Sequence, residues 1–226
     1  SQAEAREKTF ARCLKIIQHF HGKNPGSICD VGTANGSFLK TAKDNGWEVT
    51  GCEPSKWMCG WCFENYGINI KCGTIFNAGF AENYFDVITL WDVLEHTPDP
   101  DAVLAECVGK MKNGGLLAVN YPDIGSWVSR LMGRKWVFLL SVHYFYYTRK
   151  TISKALEKAG LKVLKVKPHF QRLELDYILF RAESFIGIIA RFFRTVVRLI
   201  HMENMQVPYW MGQTLVIAKK PEPAES

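Results

Sequence analysis

The sequence predicts an α/β protein built on a mostly parallel sheet. Short apolar runs alternate with helical periods along most of the 226 residues, and glycines mark the ends of many of these segments. Because a strand followed by a helix usually leads to a parallel neighbour in the same sheet, the alternation predicts a Rossmann-like three-layer α/β/α sandwich. The length suits a single domain, residues 1–226, with a full hydrophobic core.

The clearest of these segments is the stretch SICDVGTANGSFL, which begins at residue 27. Ile28, Cys29 and Val31 form an apolar run typical of a buried parallel strand, and a glycine loop interrupts it before a helical period begins. Asp30 falls near the carboxyl end of this strand. Because glycine lets the backbone approach a ligand closely, the stretch predicts a small-molecule site at the edge of the sheet.

The spacing of the glycines indicates which ligand binds there. Dinucleotide-binding loops have the order Gly-x-Gly-x-x-Gly, whereas this chain has Asp30-Val31-Gly32-x-x-x-Gly36. That order resembles motif I of the class I S-adenosylmethionine-dependent methyltransferases, and it disfavours a nicotinamide-dependent oxidoreductase. The resemblance implies a seven-stranded sheet with an antiparallel last strand, and S-adenosylmethionine as the cofactor. It places five loop residues against that cofactor, namely Asp30, Gly32, Thr33, Ala34 and Gly36.

The segments on either side of the loop extend the predicted cofactor site. Residues 1–24 are expected to form an N-terminal helix whose apolar face covers the sheet or the cofactor. Glu48–Glu53 is predicted as the second strand, and Glu53 lies where a carboxylate accepts hydrogen bonds from two ribose hydroxyls. Pro54, which follows it, is included in the site.

The turn after the predicted third strand is expected to meet the adenine. It contains Thr74, Ile75, Phe76 and Asn77. The family often has an acid near Asn77 that holds the adenine amino group, and the asparagine side chain offers the same acceptor oxygen without the charge. Phe76 is a candidate to lie against the adenine face.

A second block follows the predicted fourth strand, Phe85–Leu90. The sequence WDVLEHTPDP closely resembles the corresponding block of many small-molecule methyltransferases. The resemblance places Leu90, Trp91 and Asp92 at the methionine end of the cofactor, where an aromatic face also attracts a sulfonium. His96, about one turn further on, is a candidate base or a residue that orients the loop.

The acceptor side is predicted from the aromatic region that follows the fifth strand. Tyr121 comes at the same sheet edge as the glycine loop, and Trp127 and Tyr146 belong to an irregular aromatic stretch typical of a binding wall. The sequence HYFYYT, which begins at His143, resembles a family block in which the histidine faces the active-site opening. His143 is therefore predicted to deprotonate or orient the acceptor, with His96 as the alternative.

Residues 171–212 are predicted to be a helical insertion before the last strand, Thr214–Ala218. Within it, residues 185–200 have a broad apolar face opposite a narrow face that carries three arginines. This segment is too short and too charged to span a bilayer. We expect a lid or a dimer contact, with a helix lying in a membrane interface as the alternative.

Composition sets further limits. The first 113 residues hold 11 Lys and Arg against 14 Asp and Glu, and the other 113 hold 17 against 8. The basic second half is interpreted as a solvated surface, with an acidic substrate or an anionic membrane as the alternative. Seven cysteines in mainly apolar runs, with no signal peptide, indicate a reducing, cytoplasmic chain. The one Cys-x-x-Cys pair lies in a predicted helix without metal-like partners, so no metal is expected. A nucleic-acid partner is not expected either.

The motifs predict a methyltransferase that acts on a small-molecule acceptor, with a hydroxyl favoured over an amine, by in-line methyl transfer. Two alternatives stay open. One is a non-catalytic partner protein that binds S-adenosylmethionine, and the other is a membrane-surface methyltransferase of a lipid or quinone. A monomer or a homodimer is expected.

Overall fold

The computed structural model describes residues 2–22 and 24–223, without the side chains of Gln2, Ser184 and Phe185. The predicted domain 1–226 therefore includes residues 1, 23 and 224–226, which lie outside the described residues, and the predicted helix 1–24 includes two of these.

A seven-stranded sheet forms the centre of the described chain. The described residues form nine strands, of which all but β7 and β8 belong to this sheet. They are β1 Ser27–Val31, β2 Glu48–Glu53, β3 Lys71–Cys72, β4 Phe85–Trp91, β5 Met111–Pro122, β6 Lys162–Pro168, β7 Gln171–Glu174, β8 Gln206–Tyr209 and β9 Gln213–Lys219. The central sheet has the order β3-β2-β1-β4-β5-β9-β6, and β9 runs antiparallel to both of its neighbours. The other pairs are parallel. This confirms the predicted mostly parallel sheet with an antiparallel last strand.

Helices cover the two faces of this sheet. They are α1 Gln2–His21, α2 Ser37–Asp44, α3 Lys56–Tyr66, α4 Pro100–Lys110, α5 Trp127–Met132, α6 Arg149–Lys158 and α7 Leu175–Leu199, with 3-10 turns at Leu94–His96 and Gly133–Lys135. Hydroxyl side chains cap the N-termini of several of these helices. The Ser55 hydroxyl accepts the Met58 N–H at the start of α3, and Thr148 forms a reciprocal capping box with Thr151 at the start of α6.

Alternating strand residues create the three layers. Ile28 of β1 packs in a cluster with buried residues of α1 and α2, whereas the next residue, Cys29, packs in a cluster with α4 and α6. Val87 and Ile88 of β4 divide in the same way. Because successive strand side chains point to opposite faces, this alternation gives the sheet a hydrophobic layer on each side.

The insertion contains more than the predicted helix. β7 pairs with β8 as a separate two-stranded sheet, and α7 begins earlier than the predicted segment 185–200. Arg194 and Arg198 donate to the Asp176 carboxylate at 2.8–3.0 Å. Residues 18 apart in a straight helix are about 27 Å apart, so these contacts require α7 to fold back on itself. The turn lies at Gly187, whose φ of 47° and ψ of −117° are not helical. We call α7 the helical hairpin.

Candidate active site

The glycine loop after β1 is held in a conformation that excludes larger residues. Gly32 and Gly36 have φ values of 72° and 73°, and a Cβ on Gly36 would lie 2.3 Å from the Sγ of Cys62 on α3. The Gly32 N–H donates to the Cys52 carbonyl at 2.8 Å, which ties the loop to β2. Gly36 is therefore required by the close approach of α3, Gly32 by the approach of Val93 at 2.9 Å, and both by the backbone angles.

Glu53 at the end of β2 lies against this loop. One carboxylate oxygen accepts the Ala34 N–H and the other accepts the Ser55 N–H, each at 3.0 Å. The side chain is half-buried, and Pro54 beside it is exposed. Since each carboxylate oxygen has two lone pairs, both oxygens can accept a further hydrogen bond from a ligand hydroxyl. The structure thus brings Glu53 and the loop together in one site.

Asp30 lies buried between the loop and the sheet. Its carboxyl group accepts the Thr89 hydroxyl at 2.5 Å. Burial raises the pKa of Asp30 to about 8, although the Thr89 bond opposes this shift. Asp30 is therefore mostly protonated at neutral pH, and it faces a ligand as a neutral group.

Only some of the residues predicted in the turn after β3 offer a side chain to a ligand. The Asn77 side-chain oxygen accepts the Thr74 N–H at 2.8 Å and the Thr74 hydroxyl at 3.4 Å, so an adenine amino group would replace the longer of these two contacts. Phe76 is 54% exposed and available to stack on a ring. Ile75 is buried in the core, as is Leu90 at the end of β4, so only the backbone of these two residues is available to a ligand.

A cavity of about 330 Å³ opens beside the glycine loop. Three aromatic rings form its apolar part: Trp91 lies 5.5 Å from Phe10 and 5.0 Å from Phe38, measured between ring centroids. Phe10 comes from α1, so the predicted N-terminal helix covers both the sheet and this site. The polar lining comes from several elements and includes Arg6, Thr9, Asp30, Thr33, Asn35, Ser37, Asp92, Asn120, His169, Gln171 and Arg172.

Asp92 lies at the carboxyl end of β4 and lines this cavity. Its carboxylate accepts the Asn120 amide at 2.7 Å and the Gln213 amide at 3.2 and 3.3 Å. Burial raises the pKa of Asp92 to about 6, while Gln213 and the nearby His96 oppose that change. Asp92 has a φ of 54°, which is uncommon for a residue other than glycine.

His169 was missed by the sequence analysis. It follows β6, lines the cavity and is 5% exposed. Its Nδ1 lies 3.6 Å from the Cys13 Sγ, and its ring lies 6.1 Å from the Trp91 ring. Burial lowers the pKa of His169 to about 4, and Arg12 and Lys167 add to the shift. The ring is therefore neutral at neutral pH.

The model of the methyltransferase-domain family matches residues 5–166, which is most of the chain. The chain is a class I S-adenosylmethionine-dependent methyltransferase. Its cofactor is S-adenosylmethionine, and the site fits this cofactor because the glycine cradle faces Glu53 across the edge of the sheet.

Known proteins similar to this methyltransferase agree in fold and class. A ubiquinone biosynthesis O-methyltransferase of Coxiella burnetii is 26% identical over 185 residues, 76% of this chain and 79% of the relative. A SAM-dependent methyltransferase from Archaeoglobus fulgidus has a TM-score of 0.64 at 20% identity, with 95% and 94% of the two chains covered. Haemonchus contortus phospholethanolamine N-methyltransferase 2, solved with S-adenosylhomocysteine, has a TM-score of 0.58 at 16% identity, with 97% of this chain and 57% of that chain covered.

The two histidines predicted as bases lie next to each other, but neither is among the described residues that line the cavity. The His96 and His143 rings are 4.6 Å apart, and the His96 Nδ1 lies 3.2 Å from the Val142 carbonyl. Burial and then His96 lower the pKa of His143. Their catalytic roles stay predictions.

A buried carboxyl group accompanies this histidine pair. The ligand atoms of Glu95, His96 and His143 lie within 4.8 Å of one another, a spacing that can accommodate a metal ion. Burial raises the pKa of Glu95 to about 8, and the Asp92 charge adds to this shift. Glu95 is therefore mostly protonated at neutral pH.

The three residues predicted to contact the acceptor lie apart from the cavity. Tyr121 is fully buried in the core, 6.0 Å from the Tyr147 ring, and this burial argues against a substrate contact. Trp127 is 66% exposed and lies 6.0 Å from Trp210 on another surface. The Tyr146 hydroxyl bonds the backbone of Leu140. Their roles stay predictions.

Among the helices that the structure describes, none combines the length and the apolar character needed to cross a bilayer.

Proposed function

We propose that this methyltransferase transfers the methyl group to a hydroxyl of a small, largely apolar molecule. The cavity carries the proposal, because the cofactor loop, three aromatic rings and the Asp92 carboxylate all line it. The O-methyltransferase name of the Coxiella relative favours oxygen over nitrogen as the accepting atom.

The reaction is an in-line displacement. The acceptor oxygen attacks the methyl carbon, the carbon–sulfur bond breaks with its electron pair left on sulfur, and the hydroxyl proton passes to a base. Holding the two reactants in line can supply about 7–11 kcal/mol of the acceleration, and a base contributes about a hundredfold to ten-thousandfold. Positioning by the cavity walls therefore matters more than any one base.

Calorimetry and a transfer assay test this function together. S-adenosylmethionine should bind and NADH should not, and tritium from the labelled methyl group should pass to a hydroxylated aromatic such as catechol. Binding without transfer to any of a panel of hydroxyl and amine acceptors would favour the non-catalytic partner protein. NADH binding without S-adenosylmethionine binding would contradict the cofactor itself.

A second candidate is a membrane-surface methyltransferase that acts on a lipid or quinone. The helical hairpin supports it, because the turn at Gly187 is flanked by apolar side chains that face solvent. Ile188 is 81% exposed, and Ile186 and Ile189 are more than half exposed. Arg194 and Arg198 are engaged with Asp176, so this turn would enter a bilayer surface chiefly by burying apolar area.

Flotation with neutral phosphatidylcholine vesicles tests that second candidate. The protein should float with the vesicles, and Ile188→Asp should abolish flotation, whereas Leu131→Asp on α5, where Leu131 is 79% exposed, should not. If Ile188→Asp instead converts a dimer to a monomer in sedimentation without affecting flotation, the turn is a dimer contact. If neither property changes, a lid over the active site becomes the better account.

A further inference from the structure

Asp92 is fixed by contacts that leave part of its carboxylate free. The Asp92 N–H donates to the Asn120 carbonyl at 3.1 Å, and one carboxylate oxygen, Oδ1, accepts both amide groups, from Asn120 and Gln213. The other oxygen has a single long contact with Gln213, at 3.3 Å. A residue held at an unfavourable φ persists only where its surroundings fix it, and such residues cluster at functional sites.

The charge on Asp92 suits proton transfer. At a pKa of about 6 the carboxylate is mostly ionised at neutral pH, yet it is more basic than an ordinary carboxylate. The titratable groups near it are His96 and Glu95 along the chain and Asp30 and His169 in the cavity lining, to which Arg6 and Arg172 add positive charge. Burial keeps Asp30 mostly protonated, and Glu95 and His169 are mostly neutral, so Asp92 is the anion among the described residues that line the cavity.

Gln213 connects Asp92 with His169. Its side-chain amide donates to Asp92, and its backbone carbonyl accepts the backbone N–H of His169 at 2.9 Å. Gln213 is itself buried, so both groups are attached to one rigid position at the start of β9.

The His169 ring has one nitrogen available to a ligand. Nδ1 faces Cys13, whose pKa burial raises to about 12, so that residue stays a thiol. In the described part of the chain, Nε2 has no hydrogen-bond partner. A neutral imidazole can donate or accept at this position, depending on its tautomer.

We propose that Asp92 takes the proton of the acceptor hydroxyl, and that His169 binds the acceptor beside it. This inference rests on the proposed function and names the residues that perform it. As the acceptor oxygen forms its bond to the methyl carbon, the O–H bond breaks, and the proton moves to the free carboxylate oxygen of Asp92. The methyl–sulfur bond breaks at the same time, which leaves neutral S-adenosylhomocysteine and a protonated Asp92 that later releases its proton to water.

Two variants with matched controls test the assignment, with catechol as the acceptor and tritiated S-adenosylmethionine as the donor. Asp92→Asn should lower kcat by on the order of a hundredfold or more and leave the dissociation constant of S-adenosylmethionine within about threefold. His169→Gln should raise the KM for catechol more than it lowers kcat. The controls, Asp101→Asn in an exposed ion pair with Lys158 and His19→Gln on the outer part of α1, should change neither constant.

Two results with Asp92→Asn would overturn the assignment. Full turnover by Asp92→Asn together with loss in His143→Ala moves the base to the histidine pair. Loss of S-adenosylmethionine binding in Asp92→Asn makes Asp92 a cofactor residue only. If Asp92→Asn fails to fold, as judged by circular dichroism, Asp92→Ser replaces it with the same expectations. If the wild-type protein binds S-adenosylmethionine but neither binds nor methylates catechol, this inference fails while the cofactor assignment stands. Failure to bind S-adenosylmethionine would defeat the proposed function instead.

Discussion

The cofactor side and the acceptor side of this active site are assembled in different ways. The best-defined part of the cofactor side comes from one short stretch of chain, in which the loop after β1 and Glu53 at the end of β2 bond each other 19 residues apart. The cavity that we propose for the acceptor combines α1, the ends of β4 and β5, and the segment after β6. A site made from neighbouring segments is encoded by a short motif, whereas a site made from distant segments depends on the whole topology.

The largest expected effect is on the cofactor side, from Gly36→Ala. The new Cβ would lie 2.3 Å from the Cys62 Sγ at a φ of 73°, so the loop must move and S-adenosylmethionine binding should be lost. The left-handed conformation alone costs alanine about 1–2 kcal/mol. Gly60→Ala on α3 is the control, because nothing lies within 4 Å of its Cβ. Calorimetry on both variants decides, and normal binding by Gly36→Ala would show that the loop tolerates this shift.

On the acceptor side, His169 should make the free energy of unfolding depend on pH. His169 has a pKa of about 4 in the folded protein, against 6.5 as the ordinary value, so the unfolded chain binds its proton first. His169 therefore contributes stability that is complete above pH 6.5 and is lost as pH falls towards 4, about 3 kcal/mol in all. Urea unfolding at several pH values should show a smaller loss of stability for His169→Gln than for the wild type over this range. Parallel curves for the two proteins would place His169 in a solvated position.

Glu53→Ala should have a smaller effect, confined to the cofactor. A charge-assisted hydrogen bond contributes about 1.5–3 kcal/mol, so the dissociation constant of S-adenosylmethionine should rise at least about tenfold. Glu48→Ala on the same strand, where the carboxylate bonds the Tyr84 hydroxyl at 2.9 Å, serves as the control. An unchanged dissociation constant in folded Glu53→Ala would remove this residue from the site.

The smallest effect is expected in the helical hairpin. Arg194 and then Arg198 hold the pKa of Asp176 well below its usual range. These ion pairs are near the surface, so Asp176→Asn should cost no more than about 1 kcal/mol of global stability. Hydrogen exchange should become faster in α7 and stay unchanged in the central sheet. Equal acceleration in both regions would mean that the hairpin and the sheet unfold as one unit.

The difference between short-range and long-range contacts also explains which features could be predicted from the sequence. The glycine loop and Glu53 were accessible because their constraints are local, and the alternation of apolar runs gave the sheet. The fold-back of the helical hairpin could not be predicted from the sequence. Both of its arms have helical periods, and the hydrogen bonds of Asp176 with Arg194 and Arg198 span 18 and 22 residues. His169 belongs to no motif. One signal could have found it: β6 runs parallel to β5, so a residue just after β6 comes to the same sheet edge as the glycine loop.

The contact between α1 and β7 has a consequence for how the protein is made. The Thr9 hydroxyl accepts the Arg172 N–H at 2.8 Å, across 163 residues of chain. During synthesis, the glycine loop and Glu53 leave the ribosome well before Arg172 does. The first helix must therefore wait for most of the polypeptide before it gains this partner, and contacts of such long range are slow to form. A nascent chain that stops short of β7 has the glycine loop and Glu53 but lacks Gln171, Arg172 and Leu173, which line the cavity of the complete protein.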